Sequence, residues 1–133
     1  MNYLFANGQE FPPISNYETA DYNAESQNWD ITQTDDKVMF FANNAGLLEF
    51  NGEDWTLYPT PDETIMRSVK CFEEKIFTGS YTDFGFWKKN DFGLLEYTSI
   101  VKNNSIEMLE DEQIWEIYEL DGWMIFKSLQ RIY

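Results

Sequence analysis

The chain has 133 residues and carries 24 acidic side chains against 9 basic ones, a formal charge of -15. Phosphate and anionic-lipid binding need clustered Lys and Arg, so this balance argues against direct contact with nucleic acid or an anionic membrane. With no histidine and one cysteine, the chain lacks the commonest general base, the commonest metal ligand and any internal disulfide, while 43% hydrophobic content leaves ample core material.

The acidic balance reads first as a solvated outer surface and second as a preference for a cation or a neutral or basic ligand. No stretch approaches the about 20 apolar residues of a membrane span. Residues 1–10 read as a disordered N-terminus or the remnant of an export signal: Met1-Asn2-Tyr3-Leu4-Phe5-Ala6 is apolar and ends on a small residue before polar Asn7-Gly8-Gln9-Glu10.

Residues 11–27 are expected to form an entry segment whose Ile14-Ser15-Asn16-Tyr17 is an outer closing strand, donated to a final blade not present in this chain. Residues 28–62 then read as one four-stranded unit. Trp29 to Gln33 alternates as a half-buried strand does, Asp35-Asp36 turns, Val38 to Ala42 is an apolar run covered on both faces, and Leu47 to Phe50 follows. Asn51-Gly52 is a strong hairpin signal because both residues tolerate positive φ. The fourth strand, Trp55 to Tyr58, ends at Pro59-Thr60-Pro61, which cannot continue a ladder.

Residues 63–112 repeat the plan with Arg67 to Cys71, Ile76 to Gly79, Phe84 to Lys88 and Leu94 to Ser99. Cys71 shares a side with Val69 and reads as a small buried apolar residue. The charged stretch Val101 to Glu112 is expected to extend a hairpin on the rim. Residues 113–133 begin a third copy: Ile114 to Tyr118, a turn at Asp121-Gly122, Trp123 to Lys127 and the stub Arg131 to Tyr133.

The repetition is explicit. Met39-Phe40-Phe41-Ala42-Asn43 and Gly46-Leu47-Leu48-Glu49-Phe50 are echoed, at one constant offset, by Ile76-Phe77-Thr78-Gly79-Ser80 and Asp83-Phe84-Gly85-Phe86-Trp87. Short strands repeating at about 40 residues suit four-stranded propeller blades. The predicted fold is therefore all-β: a partial β-propeller of two antiparallel blades (28–62 and 63–112) and part of a third (113–133), in a ring left incomplete. Such a chain is expected to associate or to be marginally stable, because an open sheet edge exposes unpaired backbone.

The residues Pro13-Ile14-Ser15-Asn16-Tyr17, Tyr22-Asn23-Ala24 and Gln27-Asn28-Trp29-Asp30-Ile31, with Phe41-Ala42-Asn43, Gly79-Ser80-Tyr81 and Asp83-Phe84-Gly85-Phe86-Trp87, resemble the start of bacterial two-component regulator propeller proteins. That resemblance implies an N-terminal part of an extracytoplasmic, periplasmic sensor propeller of an inner-membrane protein. Further blades, a triple-tyrosine domain, a membrane helix and a histidine kinase or helix-turn-helix output would follow in the parent chain, with dimerisation through that parent. It implies recognition of an external ligand, an oligosaccharide or another small molecule, with no catalysis, cofactor or metal in this segment. The turn Asp35-Asp36-Lys37 departs from the family pattern, which has glycine there.

Aligning the repeats puts Trp29, Arg67 and Trp115 at equivalent positions, where inner strands converge. Two indoles beside a guanidinium suit a sugar, since aromatic faces stack on C–H surfaces and arginine holds a carboxylate or paired hydroxyls. The competing reading has the tryptophans wedging neighbouring repeats and Arg67 paired with a carboxylate. Asn43, Ser80 and Ser128 are equivalent too, and with Tyr81 they either contact the ligand or satisfy turn backbone. A glycoside hydrolase or lyase would use a pair such as Asp30 and Glu116, and a cytoplasmic protein-interaction propeller is a third alternative.

Overall fold

The computed structural model describes residues 11–133, so the expected export-signal remnant at 1–10 lies outside the described residues. Ten strands and two short helices follow in chain order. They are α1 (Thr19–Tyr22), β1 (Asn28–Gln33), β2 (Met39–Asn43), β3 (Gly46–Phe50), β4 (Trp55–Tyr58), β5 (Met66–Phe72), β6 (Lys75–Ser80), β7 (Phe84–Lys89), β8 (Leu95–Ser99), α2 (Ile100–Asn104), β9 (Glu116–Leu120) and β10 (Trp123–Lys127). Each sheet is a simple meander of antiparallel neighbours: β1-β2-β3-β4, β5-β6-β7-β8, and the pair β9-β10. None closes on itself.

Turn chemistry sets the hairpins. Asn51 Oδ1 accepts the N–H groups of Glu53 and Asp54, and Gly52 takes φ +102. Where glycine was missing, Lys37 occupies the left-handed region at φ 71 and its N–H reaches the Thr34 carbonyl at 3.0 Å. A lysine there costs about 1 kcal/mol that glycine would avoid.

Alternation within the middle sheet decides the layering, because successive side chains of a strand point to opposite faces. On β6, Ile76 faces the first sheet while Phe77 faces the third. Trp87 and Phe86 divide in the same way on β7. One core joins Phe40, Ala42 and Leu47 to Met66, Val69 and Trp87. The other joins Phe77 and Phe84 to Ile114, Ile117 and Phe126.

Hydrogen bonds link each sheet to the next. Asp30 Oδ2 accepts the Val69 N–H at 3.0 Å, and Thr32 Oγ1 accepts the Cys71 N–H at 3.1 Å. Ser68 Oγ donates to the Ile114 carbonyl at 2.9 Å, and the Ile114 N–H reaches Ser80 O at 3.2 Å. Cys71 packs against the first core, half-buried, and burial pushes its thiol up.

One segment differs from expectation. Val101 to Glu112 is not a hairpin extension: the chain enters α2, where Ser99 Oγ accepts the Lys102 N–H at 3.0 Å as an N-cap and Ser105 ends the turn at φ 52. Ile100 and Val101 join the second core, so tertiary burial outweighs the polar composition of the loop. Ile14 to Tyr17, expected to pair with a blade outside this chain, pairs with no strand among the described residues. The Tyr17 ring packs 5.3 Å from both Phe50 and Trp55. β9 also begins at Glu116 rather than Ile114.

Candidate functional site

The first two sheets carry the same irregularity at the same place. In β1 the register to β2 slips between Asn28 and Asp30, and in β5 the register to β6 slips between Met66 and Ser68. Trp29 and Arg67 are therefore the unpaired residues of two equivalent bulges. A bulge frees its extra residue from the ladder and re-aims the side chain. Trp115 enters from the segment just before β9, where its N–H bonds to the Lys127 carbonyl at 2.9 Å.

The three side chains meet. The Arg67 guanidinium carbon lies 4.0 Å from the Trp29 ring centroid and 4.8 Å from that of Trp115. The two indoles are 5.8 Å apart, edge to face at 83°. A cation between aromatic faces is stabilised by about 0.5–2 kcal/mol per contact, more as water is excluded. Gln113 Oε1 accepts the Arg67 Nε–H at 2.7 Å, and Trp29 Nε1–H donates to Asn44 Oδ1 at 2.7 Å.

The expected ion pair of Arg67 is absent. Among the described residues no carboxylate lies within salt-bridge distance of it, and its Nη1 is buried without a hydrogen-bond partner. Desolvation lowers its affinity for the proton, but a guanidinium stays charged at neutral pH. Beside Trp29 an open depression of about 270 Å³ is lined by Asn28, Trp29, Asp30, Ile31 and Phe41. A larger cleft of about 430 Å³ lies between the first two sheets at their hairpin turns, with Val38, Phe40 and Ile76 as floor and charges of both signs around it. The smaller one shares Trp29 with the Arg67 cluster, so the candidate site is placed there.

The other expected contacts are already engaged. Asn43 is fully buried and uses both ends of its amide: Nδ2 donates to Glu25 O and Asn28 Oδ1, and Oδ1 accepts from the Glu25 and Ala45 N–H groups. Ser80 Oγ donates to Asp83 O within its turn, and Ser128 Oγ bonds to Glu112 Oε1. Tyr81 forms a backbone bridge with Gln113, the partner of Arg67, while its hydroxyl donates to Asp111. That bond raises the Tyr81 pKa. Asn43 therefore ties the segment entering β1 to the end of β2, Ser80 staples its own turn, and Tyr81 borders the site through backbone.

The residues of the acid–base reading are similarly occupied. Asp30 accepts the Val69 and Ile31 N–H groups, and Glu116 accepts from Lys127 Nζ at 2.5 Å and the Tyr118 hydroxyl at 2.7 Å. The Lys127 bond first, then that of Tyr118, holds the Glu116 carboxyl below its ordinary value.

Sequence reasoning did not single out Gln113, Asn44 or Glu112. Glu112 is 2% exposed and accepts from Ser128 Oγ, from the Leu109 N–H at 2.9 Å and from the Tyr133 hydroxyl at 2.7 Å. Burial opposes its ionisation, yet the bonds from Ser128, Tyr133 and Leu109, with Arg131 nearby, outweigh it and hold the carboxyl below its ordinary value. It anchors the segment that carries Gln113 and Trp115. The one signal available was an acidic residue directly before the third repeat, a weak one among so many carboxylates.

Compared with protein-family models, with curated proteins and with solved structures, the chain gives no match in any of the three.

Proposed function

We propose that the chain is part of a β-propeller sensor of a transmembrane two-component or one-component transcriptional regulator, in which it helps recognise an external ligand, a carbohydrate, on the periplasmic side. In this reading the two four-stranded sheets are successive blades and β9-β10 begins a third. Kinase or DNA-binding output resides in other domains of the parent. The reading rests on the sequence repeat and the family resemblance, and is supported by the matching bulges that bring Trp29, Arg67 and Trp115 together. Two indoles set edge to face around a fixed cation offer stacking surface and directional donors to a sugar ring.

The test is calorimetric and tryptophan-fluorescence titration of the chain with a panel of neutral and acidic oligosaccharides. Saturable binding is expected, weakened about fivefold by Trp29→Ala or Trp115→Ala, since one aromatic contact is worth about 1 kcal/mol. Binding indifferent to both substitutions, or none across the panel, refutes the proposal. The reading also requires the parent gene to encode an export leader, further repeats and a membrane span.

A further inference from the structure

Net charge alone points to a neutral or cationic ligand. The surroundings of Arg67 point the other way. Buried donors in native proteins are almost always paired, and leaving a charged one unpaired costs more than leaving a neutral one. Yet Arg67 Nη1 is buried without a partner, and among the described residues the one acceptor on this guanidinium is the neutral amide oxygen of Gln113. In a chain with 24 acidic residues an available carboxylate is easy to supply.

The two carboxylates adjacent in sequence to the tryptophans are turned elsewhere. Asp30, next to Trp29, binds backbone N–H groups, and Glu116, next to Trp115, binds Lys127 and Tyr118. The positive charge is thus held in place by Gln113 and two indoles and left unneutralised.

Resting on the sensor reading above, we propose that this charge is the seat of a ligand carboxylate, so that the recognised glycan is an acidic one built from uronic acid residues. A carboxylate offers Arg67 a charge-assisted acceptor for the open Nη1, and the sugar ring that bears it presents C–H faces to the indoles. A neutral sugar supplies hydroxyl acceptors but leaves the charge uncompensated. Nη1 is occluded, so admission of the ligand moves an indole. In this proposal it is Trp29 that gives way, being 42% exposed and tethered by a single exposed side-chain hydrogen bond to Asn44 among the described residues. Repulsion from the remaining acidic surface is screened beyond about 8 Å at physiological ionic strength, which leaves the local contact in control.

The experiment titrates the chain with oligomers of galacturonate, glucuronate, mannuronate and guluronate, with their methyl esters, and with the corresponding neutral hexose oligomers. Tryptophan fluorescence and the NMR signal of the Arg67 Nε–H report binding. At least one uronate oligomer is expected to bind ten or more times tighter than its methyl ester and to shift the Nε–H signal. Arg67→Gln should erase that preference, and Arg67→Lys should keep part of it, which separates lost charge from lost fold. Esters or neutral oligomers binding as well as the acids would overturn the carboxylate seat while leaving the sugar sensor standing. Binding of no member of the panel would overturn both.

Discussion

Removing the Glu112 carboxylate should loosen the third sheet and with it the Arg67 cluster. Glu112→Ala withdraws the acceptor from the Leu109 N–H, the Ser128 hydroxyl and the Tyr133 hydroxyl. At about 1 kcal/mol for each donor left without its bond, the expected loss is about 3 kcal/mol of unfolding free energy. Glu112→Gln keeps the shape and one carbonyl acceptor and should cost about half as much. Urea unfolding followed by tryptophan fluorescence measures both, with unchanged m values showing that the difference is one of stability.

The sign of the accompanying pH effect follows from the depressed carboxyl. Its unfolded value is near the ordinary 4.5 and its folded value is lower, so its stabilisation is fully present above about 4.5 and is lost as pH falls through the folded value. Glu112→Gln should lack that part of the acid sensitivity. A Glu112→Ala variant within about 0.5 kcal/mol of the parent, where ordinary surface substitutions fall, would refute the account of a buried anchor. So would an acid profile unchanged in Glu112→Gln.

Gly79→Ala places a Cβ 2.4 Å from Ile114 Cγ2 and 2.5 Å from Ser68 Oγ between the second and third sheets, and overpacking of this kind should cost about 1–3 kcal/mol in a denaturant titration. Lys37→Gly relieves a left-handed lysine in the β1–β2 turn and should stabilise by up to about 1 kcal/mol, seen as a raised denaturation midpoint. The Tyr58 hydroxyl, desolvated and donating to Glu49 at 2.9 Å, is pushed up to about 12, so its stabilisation is present below 10.0 and is lost as pH rises through about 12. Ultraviolet difference titration should show this late-titrating tyrosine disappear in Tyr58→Phe.

Strand positions were legible because they depend on neighbours in the chain. Trp29-Asp30-Ile31-Thr32-Gln33 alternates, Asn51-Gly52 turns, and Ile76-Phe77 in the middle sheet is apolar on both faces because both are covered. The α2 turn was not legible: Ile100 and Val101 are helical because the Ser99 cap and the second core reward it, and the core belongs to residues distant in sequence.

The amino-acid sequence by itself determined the all-strand character, the repeat and the equivalence of Trp29, Arg67 and Trp115. All three follow from local periodicity and turn chemistry. Only the tertiary structure decided that Asn43 spends its amide on Glu25, Asn28 and Ala45, that Gln113 rather than a carboxylate receives Arg67, and that Nη1 is left over. Those outcomes depend on register slips at Trp29 and Arg67 and on which side chains three packed sheets bring within about 3 Å, the reach of a hydrogen bond, and no local pattern encodes such distances.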